Sequence, residues 1–262
     1  MIANLSPIPA FRDNYIWAFT DADGREACIV DPGDSEPVLA WLRDRNLVLT
    51  AILITHHHQD HTGGLPRLRN EFSPRIFGPA TGPTTGIDTP LGDQEKFDLF
   101  GESFEVMTVP GHTLDHIAYF VRNPNGGHAP ILFCGDTLFA AGCGRIFEGD
   151  PDMMYRSLQK LAALHPDTRV YCTHEYTLAN LRFAAAADPD NSAVKARIDR
   201  VNQLRAADQP SLPSVLAEEL STNPFLRCDQ PALQASAQRH AGQPVPTPAL
   251  VFSALRAWKD HF

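Results

Sequence analysis

The first part of the chain alternates short apolar runs with polar breaks, a pattern typical of strands separated by loops and helices. The pattern predicts strands over residues 14–19, 26–30, 51–54, 75–78, 104–109, 117–121, 131–134 and 169–172. Apolar residues at helical spacing predict helices over residues 36–46, 65–72 and 153–164. Residues 79–96 are rich in Pro, Gly and Thr, and we expect them to form a loop.

Beyond Tyr176 the strand pattern disappears and helical propensity takes over. The predicted helices cover residues 177–187, 192–206, 214–220, 231–241 and 248–262. We therefore predict two domains. Residues 1–175 form a mixed α/β domain, and residues 176–262 form a small helical domain.

One polar stretch, THHHQDH, directly follows the apolar run at residues 51–54 and begins at Thr55. In an extended segment His56 and His58 point to the same side, and Asp60 and His61 lie on the turn beyond it. Two imidazoles make half of one metal site, and the Asp-His pair makes half of a second.

Three more candidate ligands, His112, Asp136 and His174, each follow a predicted strand. Sheet proteins often place their sites at the carboxyl ends of strands. Together with the first stretch, these residues supply three protein ligands for each of two metals and one carboxylate able to bridge them. Asp31, at another strand end, is either an acceptor for a ligand imidazole or a turn residue.

Other polar residues near these candidates have different expected roles. His57 should face away from the ligands, where it packs or forms a hydrogen bond, and His116 is a candidate partner for a ligand. Cys134 and Cys172 stand close to candidate ligands, but we interpret both as strand-interior residues rather than metal thiolates.

The composition narrows the functional classes. A formal net charge of −9 over 262 residues argues against the phosphate backbone of a nucleic acid as a partner. No apolar run approaches the ~20 residues of a membrane span, and the chain begins without a secretory signal pattern. Five cysteines without a CxxC pair are most simply reduced and buried. We therefore expect a cytoplasmic protein without a membrane partner.

The order of the candidate ligands resembles that of the metallo-β-lactamase superfamily. The resemblance implies an α/β fold, the αββα metallo-β-lactamase sandwich, followed here by a small all-α C-terminal domain. It also implies a pair of metal ions. By this resemblance, one metal is held by His56, His58 and His112, the other by Asp60, His61 and His174, and Asp136 bridges them.

Further motifs are similar to glyoxalase II, the hydroxyacylglutathione hydrolase family. They are Asp13-Asn14-Tyr15-Ile16-Trp17, Gly135-Asp136-Thr137-Leu138-Phe139, Gly142-Cys143-Gly144-Arg145, His174-Glu175-Tyr176-Thr177 and the ending Leu255-Arg256-Ala257-Trp258-Lys259-Asp260-His261-Phe262. The resemblance implies that Arg256 and Lys259 hold a carboxylate of glutathione, and that Arg145 and Tyr176 contact its peptide part. The alternative for Arg256 and Lys259 is a solvated last helical turn. Phe147 stands where some family members carry a Tyr.

The implied activity is hydrolysis of S-lactoylglutathione to glutathione and D-lactate, the second step of methylglyoxal detoxification. Asp60 and Asp136 are the implied catalytic carboxylates, and the implied cofactors are two divalent metal ions, with zinc expected first and iron or manganese as alternatives. We expect a monomer. The competing hypotheses are a metal-dependent nuclease, which would want a basic groove, a β-lactamase, and a structural metal module, which would not need seven ligands.

Overall fold

The first sheet contains six strands whose spatial order follows their order in the chain. The computed structural model describes residues 1–262. The strands are β1 (Ala3–Ala10), β2 (Asn14–Thr20), β3 (Glu26–Val30), β4 (Val48–Leu53), β5 (Arg75–Pro79) and β6 (Thr89–Leu91). Strands β1 to β3 are antiparallel, and β3 to β6 are parallel. Parallel neighbours need crossover connections, and each of the first two such connections contains a helix.

The helices of these crossovers are α1 (Ser35–Arg45), α2 (Gln59–Thr62) and α3 (Leu65–Phe72). Asp34 caps α1 by accepting a hydrogen bond from the backbone N–H of Glu36. The apolar face of α1, with Val38 and Leu42, is buried in the same hydrophobic cluster as Ile52 of β4. This burial fixes β4 within the sheet, and the polar stretch from Thr55 begins just beyond the carboxyl end of that strand.

A second set of strands packs against the first sheet through phenyl rings. Strands β7 (Lys96–Leu99), β8 (Glu102–Thr108), β9 (Ile117–Val121) and β10 (Ile131–Gly135) are antiparallel neighbours in that order. Phe19 of β2 stacks on Phe104 of β8 and on Phe133 of β10, with ring centroids 6.1 and 5.8 Å apart. All these elements belong to one compact unit, Met1–Thr108 with Thr113–Gly135.

The second compact unit comprises Val109–His112 and Asp136–Phe262. Its strands are β11 (Leu138–Phe139), β12 (Gly142–Cys143), β13 (Arg169–Cys172) and β14 (Ser214–Val215). Its helices are α4 (Pro151–Ala162), α5 (Thr177–Ala187), α6 (Ser192–Ala206), α7 (Leu216–Thr222), α8 (Pro231–Ala241) and α9 (Pro248–Asp260). None of the helices in the protein is long and apolar enough to cross a membrane.

A buried ion pair fixes the hairpin of β11 and β12 inside the second unit. The carboxylate of Glu219, on α7, is fully buried and lies 2.5 Å from Nη2 of Arg197 on α6. Its other oxygen accepts a hydrogen bond from the backbone N–H of Ala141, at the turn of the hairpin. Asn223 donates to Glu219 and to the backbone oxygens of Phe139 and Gly142. The hairpin that follows Asp136 is therefore held by side chains from the helical part of the chain.

The eight predicted strands and the predicted helices are all observed, but six strands were not predicted, namely β1, β6, β7, β11, β12 and β14. Residues 79–96 contain the short strand β6, and β14 follows the point at which strands were expected to end. The segment after His58 forms one helical turn, α2, rather than an open turn. Strand β1 contains two prolines, which an edge strand tolerates because its outer N–H groups need no partner. The predicted boundary near residue 175 separates a strand-rich part of the chain from a helical part. The two compact units follow a different criterion, the density of contacts, so this boundary stays a prediction.

We expect Glu219→Ala to lower the free energy of unfolding by about 3–5 kcal/mol, because the buried Arg197 would lose its buried partner and keep only the partly exposed Glu218, whose Oε2 lies 3.2 Å from its Nε. Urea denaturation followed by circular dichroism measures this change. Glu71→Ala is the matched control, since Glu71 is exposed on α3, and it should shift the unfolding free energy by less than about 0.5 kcal/mol. Equal effects of the two substitutions would contradict the role given to Glu219.

Candidate functional site

The first unit brings together the four donors predicted in its polar stretch. The chain stays extended past β4, so that Nε2 of His56 lies 3.1 Å from Nδ1 of His58. Asp60 and His61 lie on α2, with Oδ2 of Asp60 3.6 Å from Nε2 of His61. The ring centroids of His56 and His61 lie 4.1 Å apart, and both side chains are fully buried. Nitrogen and carboxylate oxygen donors grouped in this way suit a divalent metal ion of borderline softness.

The buried carboxylate of Asp31 contacts this group of donors through Thr55 and His61. Its Oδ1 accepts a hydrogen bond of 2.8 Å from the backbone N–H of Thr55, and its Oδ2 accepts one of 2.7 Å from the Thr55 hydroxyl. The same Oδ2 lies 3.1 Å from Nδ1 of His61. Of the two interpretations left open by the sequence, this contact favours a carboxylate that faces the imidazole of a candidate ligand. A carboxylate in this position orients the ring and raises its basicity toward a metal.

Two glycines allow loops to approach the backbone of candidate ligands. A Cβ on Gly33 would lie 1.9 Å from the carbonyl oxygen of Asp60, in the first unit. A Cβ on Gly144 would lie 1.9 Å from the carbonyl oxygen of Asp136, in the second unit. No real Cβ fits at that distance, so each segment of donors packs against backbone that only glycine permits.

Two further histidines of the first unit, His57 and His116, have the kinds of neighbour that we expected. Nδ1 of His57 lies 2.9 Å from Oδ1 of Asp115, which confirms the expected hydrogen bond of His57. His116 is buried and stacks on His56, with ring centroids 4.6 Å apart and 16° between the planes. His116 therefore lies directly beside a candidate ligand.

The second unit groups its own three donors, with two histidines beside the carboxylate of Asp136. Oδ2 of Asp136 lies 3.5 Å from Nε2 of His112 and 3.3 Å from Nε2 of His174. All three side chains are buried. Nδ1 of His112 donates to the backbone oxygen of Arg145 at 2.7 Å, which leaves Nε2 as the nitrogen that can bind a metal. A carboxylate flanked by two such nitrogens has the chemistry of a bridging ligand.

The cysteines near these donors lie inside strands, as predicted. Cys134 and Cys172 belong to β10 and β13, and both are buried thiols that form no disulfide. Burial raises the pKa of Cys172 to about 12, so its thiol stays protonated at neutral pH. The interpretation of both cysteines as strand-interior residues is confirmed.

A cavity of about 330 Å³ lies in the second unit and is lined by all four predicted substrate-binding side chains, Arg145, Tyr176, Arg256 and Lys259. Tyr176 stacks on His174, with ring centroids 4.6 Å apart and nearly parallel planes, so one wall of the cavity adjoins a metal-ligand candidate. Phe147 contacts His112 edge-on, with ring centroids 5.3 Å apart, and its ring is 61% exposed.

The two cations from α9 differ from a solvated last helical turn. Arg256 is buried, donates to the backbone oxygen of Cys143 at 3.2 Å and lies over the ring of Phe225. Lys259 lies over the ring of Phe183, 5.4 Å from its centroid. Burial lowers the pKa of Lys259, and the neighbouring charge of Arg256 lowers it further. A buried arginine beside a partly buried lysine forms a concentrated positive site, which an anion would stabilise.

Two family models match the chain and together span nearly all of it. Residues 14–174 match the metallo-beta-lactamase superfamily, and residues 175–262 match the hydroxyacylglutathione hydrolase C-terminus. A hydroxyacylglutathione hydrolase from Pseudomonas paraeruginosa is 51% identical over 98% of this chain and 99% of its own length. The chain belongs to the hydroxyacylglutathione hydrolase family.

Solved structures support the fold of this hydroxyacylglutathione hydrolase family member. The crystal structure of ETHE1 from Myxococcus xanthus matches with a TM-score of 0.65 at 22% identity, covering 99% of this chain and 98% of that one. The crystal structure of TTHA1623 in a di-iron-bound form matches with a TM-score of 0.58 at 25% identity, covering 84% and 100%. The predicted fold class, an αββα metallo-β-lactamase sandwich followed by a small all-α C-terminal domain, is confirmed.

The fold and the groups of His and Asp donors together indicate that this family member binds a divalent metal. Two site residues were missed from the sequence. Asn14 donates from Nδ2 to Oδ2 of Asp60 at 3.1 Å, and Asp260 lies in the cavity beside Arg256. Asp260 had a detectable signal, because a carboxylate four residues after an arginine on a helix lies on the same face. Asn14 belongs to a motif of the family resemblance, but no local pattern pairs it with Asp60, which lies 46 residues further along the chain.

We expect Asp31→Asn to weaken metal binding about 10- to 100-fold, because the amide removes the charge that supports His61. Metal retained after dialysis against a competing chelator, measured by elemental analysis, reports the change without an activity assay. Asp44→Asn makes the same exchange at an exposed position of α1 and should retain metal like the wild type. Full retention in Asp31→Asn would show that the contact to His61 does not support a metal.

Proposed function

We propose that this chain hydrolyses S-(2-hydroxyacyl)glutathione thioesters and releases glutathione and a 2-hydroxy acid. The observation that carries the proposal is the 51% identity, over nearly the whole length of both chains, to an enzyme of that name. The cavity lined by Arg145, Arg256 and Lys259 supports it, because glutathione presents two carboxylates. The substrate is S-lactoylglutathione, the acid is D-lactate, and the reaction is the second step of methylglyoxal detoxification.

The predicted donors fit two divalent ions, with zinc as the first choice and iron or manganese as alternatives. We assign His56, His58 and His112 to one ion, Asp60, His61 and His174 to the other, and Asp136 to both. The support is the donor chemistry of each group, entirely imidazole and carboxylate. When bound, such ions supply hydroxide from water at neutral pH and Lewis acidity toward the thioester carbonyl.

The carboxylates of the chain have separate roles in this reaction. Asp60 is first a ligand and second a hydrogen-bond acceptor for the attacking water, and the N–H donated by Asn14 fixes its orientation. The Oδ2 atom of Asp136 lies between Nε2 of His112 and Nε2 of His174, which suits a shared ligand. Both carboxylates therefore act as ligands and acceptors, and neither attacks the substrate.

The chain's thiols are poorly suited to act as a covalent nucleophile. All five cysteines are buried, and burial raises the pKa of Cys28, Cys143, Cys172 and Cys228. The leaving group is itself a thiolate whose conjugate acid has a pKa of ~8.5, so its departure needs no strong general acid. Direct attack by hydroxide is the simplest route consistent with both facts.

The finer expectations about the protein belong to the same proposal. We expect a cytoplasmic monomer that binds neither nucleic acid nor membrane, in line with its negative charge and reduced cysteines. We also place the domain boundary near residue 175, which agrees with the meeting point of the two family matches.

Purified protein should hydrolyse S-lactoylglutathione, followed as the loss of thioester absorbance. Removal of metal by a chelator should abolish turnover, because hydroxide would then no longer form at neutral pH. Adding back zinc, iron or manganese should restore it, and elemental analysis of protein purified without added metal should find two ions per chain. Turnover that survives complete removal of metal would contradict the proposed mechanism.

Lys259→Gln should raise KM about tenfold and leave kcat within about twofold, because a charged hydrogen bond to a remote carboxylate is lost equally in ground and transition states. Steady-state kinetics with S-lactoylglutathione measures both constants. Lys195→Gln, at an exposed position of α6, is the matched control and should behave like the wild type. An unchanged KM in Lys259→Gln would remove this residue from the substrate site.

A further inference from the structure

One carboxylate lies among the cations of the cavity. Asp260, in the last turn of α9, places Oδ1 3.3 Å from Nε of Arg145 and 3.1 Å from Nη2 of Arg256. Both guanidinium groups therefore converge on a single oxygen atom. Asp260 lines the same cavity of about 330 Å³ as the two arginines and Lys259.

The charges around the cavity explain why a carboxylate is needed there. Three cationic side chains with no anion between them would repel one another in a partly buried space. Burial and the charge of Arg256 lower the pKa of Lys259, and the charge of Asp260 acts in the opposite direction. Asp260 therefore favours the charged form of Lys259 and offsets the mutual repulsion of the three cations.

The two arginines depend on Asp260 to different degrees. Arg256 is buried and has other anchors, the backbone oxygen of Cys143 and the ring of Phe225. The side chain of Arg145 is 57% exposed, and its ion pair with Asp260 ties it to the cavity. This pair uses Nε of Arg145 and leaves its two Nη groups, which can donate two parallel hydrogen bonds to a carboxylate.

We propose that Asp260 is a positioning residue for substrate binding, which holds Arg145 over the cavity so that its Nη groups meet a carboxylate of the substrate. The inference rests on the proposed function, since it takes that carboxylate to belong to the glutathione part of the thioester. Asp260 itself repels the substrate weakly, and this cost is smaller than the gain from a pre-oriented arginine.

The test is a double-mutant cycle between Asp260 and Arg145 in the metal-loaded enzyme. Asp260→Asn and Arg145→Gln should each raise KM for S-lactoylglutathione about tenfold with kcat within about twofold. The double variant should also show about a tenfold rise rather than about a hundredfold, because both changes remove the same interaction. Asp260→Glu keeps the carboxylate and should lose less than about threefold. Asp199→Asn, exposed on α6, should match the wild type.

Calorimetric titration with glutathione repeats the cycle without turnover, so that it remains informative in a variant of low activity. The dissociation constant should follow the same pattern as KM. An unchanged or lower constant in Asp260→Asn, or multiplicative effects in the double variant, would overturn the positioning role. A purely structural role would instead lower the melting temperature and kcat together, with no dependence on Arg145. Absence of thioester hydrolysis by the wild type would contradict the proposed function, whereas the glutathione titration would still decide the role of Asp260.

Discussion

The grouping of donors in the first unit depends on the buried carboxylate of Asp31. It accepts two hydrogen bonds from Thr55 and lies beside Nδ1 of His61, so it joins the end of β3 to the segment after β4. Four imidazoles and a carboxylate packed at a sheet edge cost free energy unless each polar group is satisfied. Asp31 offsets this cost for His61, which is fully buried, by placing a carboxylate oxygen 3.1 Å from its Nδ1. Since Nδ1 of His61 faces this carboxylate, Nε2 is the ring nitrogen on the side of Asp60, where a metal would bind.

The second unit uses the same device with a different carboxylate. Glu219 is fully buried against Arg197 and accepts the backbone N–H of Ala141, which fixes the hairpin directly after Asp136. Replacing such a buried ion pair with apolar residues can be neutral for stability, so the pair is better explained by the geometry it imposes. In each unit, one buried carboxylate accepts a backbone N–H close to the candidate donors and so fixes the chain there.

Charge in the substrate cavity is balanced in a similar way. Arg145, Arg256 and Lys259 suit an anionic ligand, but without a counter-charge they would destabilise the empty cavity. Asp260 supplies that charge from the same helix as Arg256 and Lys259. The last turn of α9 therefore contributes the cations that attract a carboxylate, Arg256 and Lys259. It also contributes Asp260, the carboxylate that orients the arginines.

The sequence by itself determined the candidate metal ligands, the strand ends that carry them and most helices, because these depend on local periodicity and residue type. It also carried the family resemblance through short motifs. It did not reveal β6, β11, β12 or β14, since strands of two or three residues have no measurable period. It also missed β1, whose two prolines argue against a strand, and the four-residue β7. Only the tertiary structure decided that Asp31 faces His61, that Glu219 braces a hairpin and that Asp260 joins two arginines. Those contacts link residues far apart in the chain or depend on which side chains share a cavity, and no local pattern encodes either.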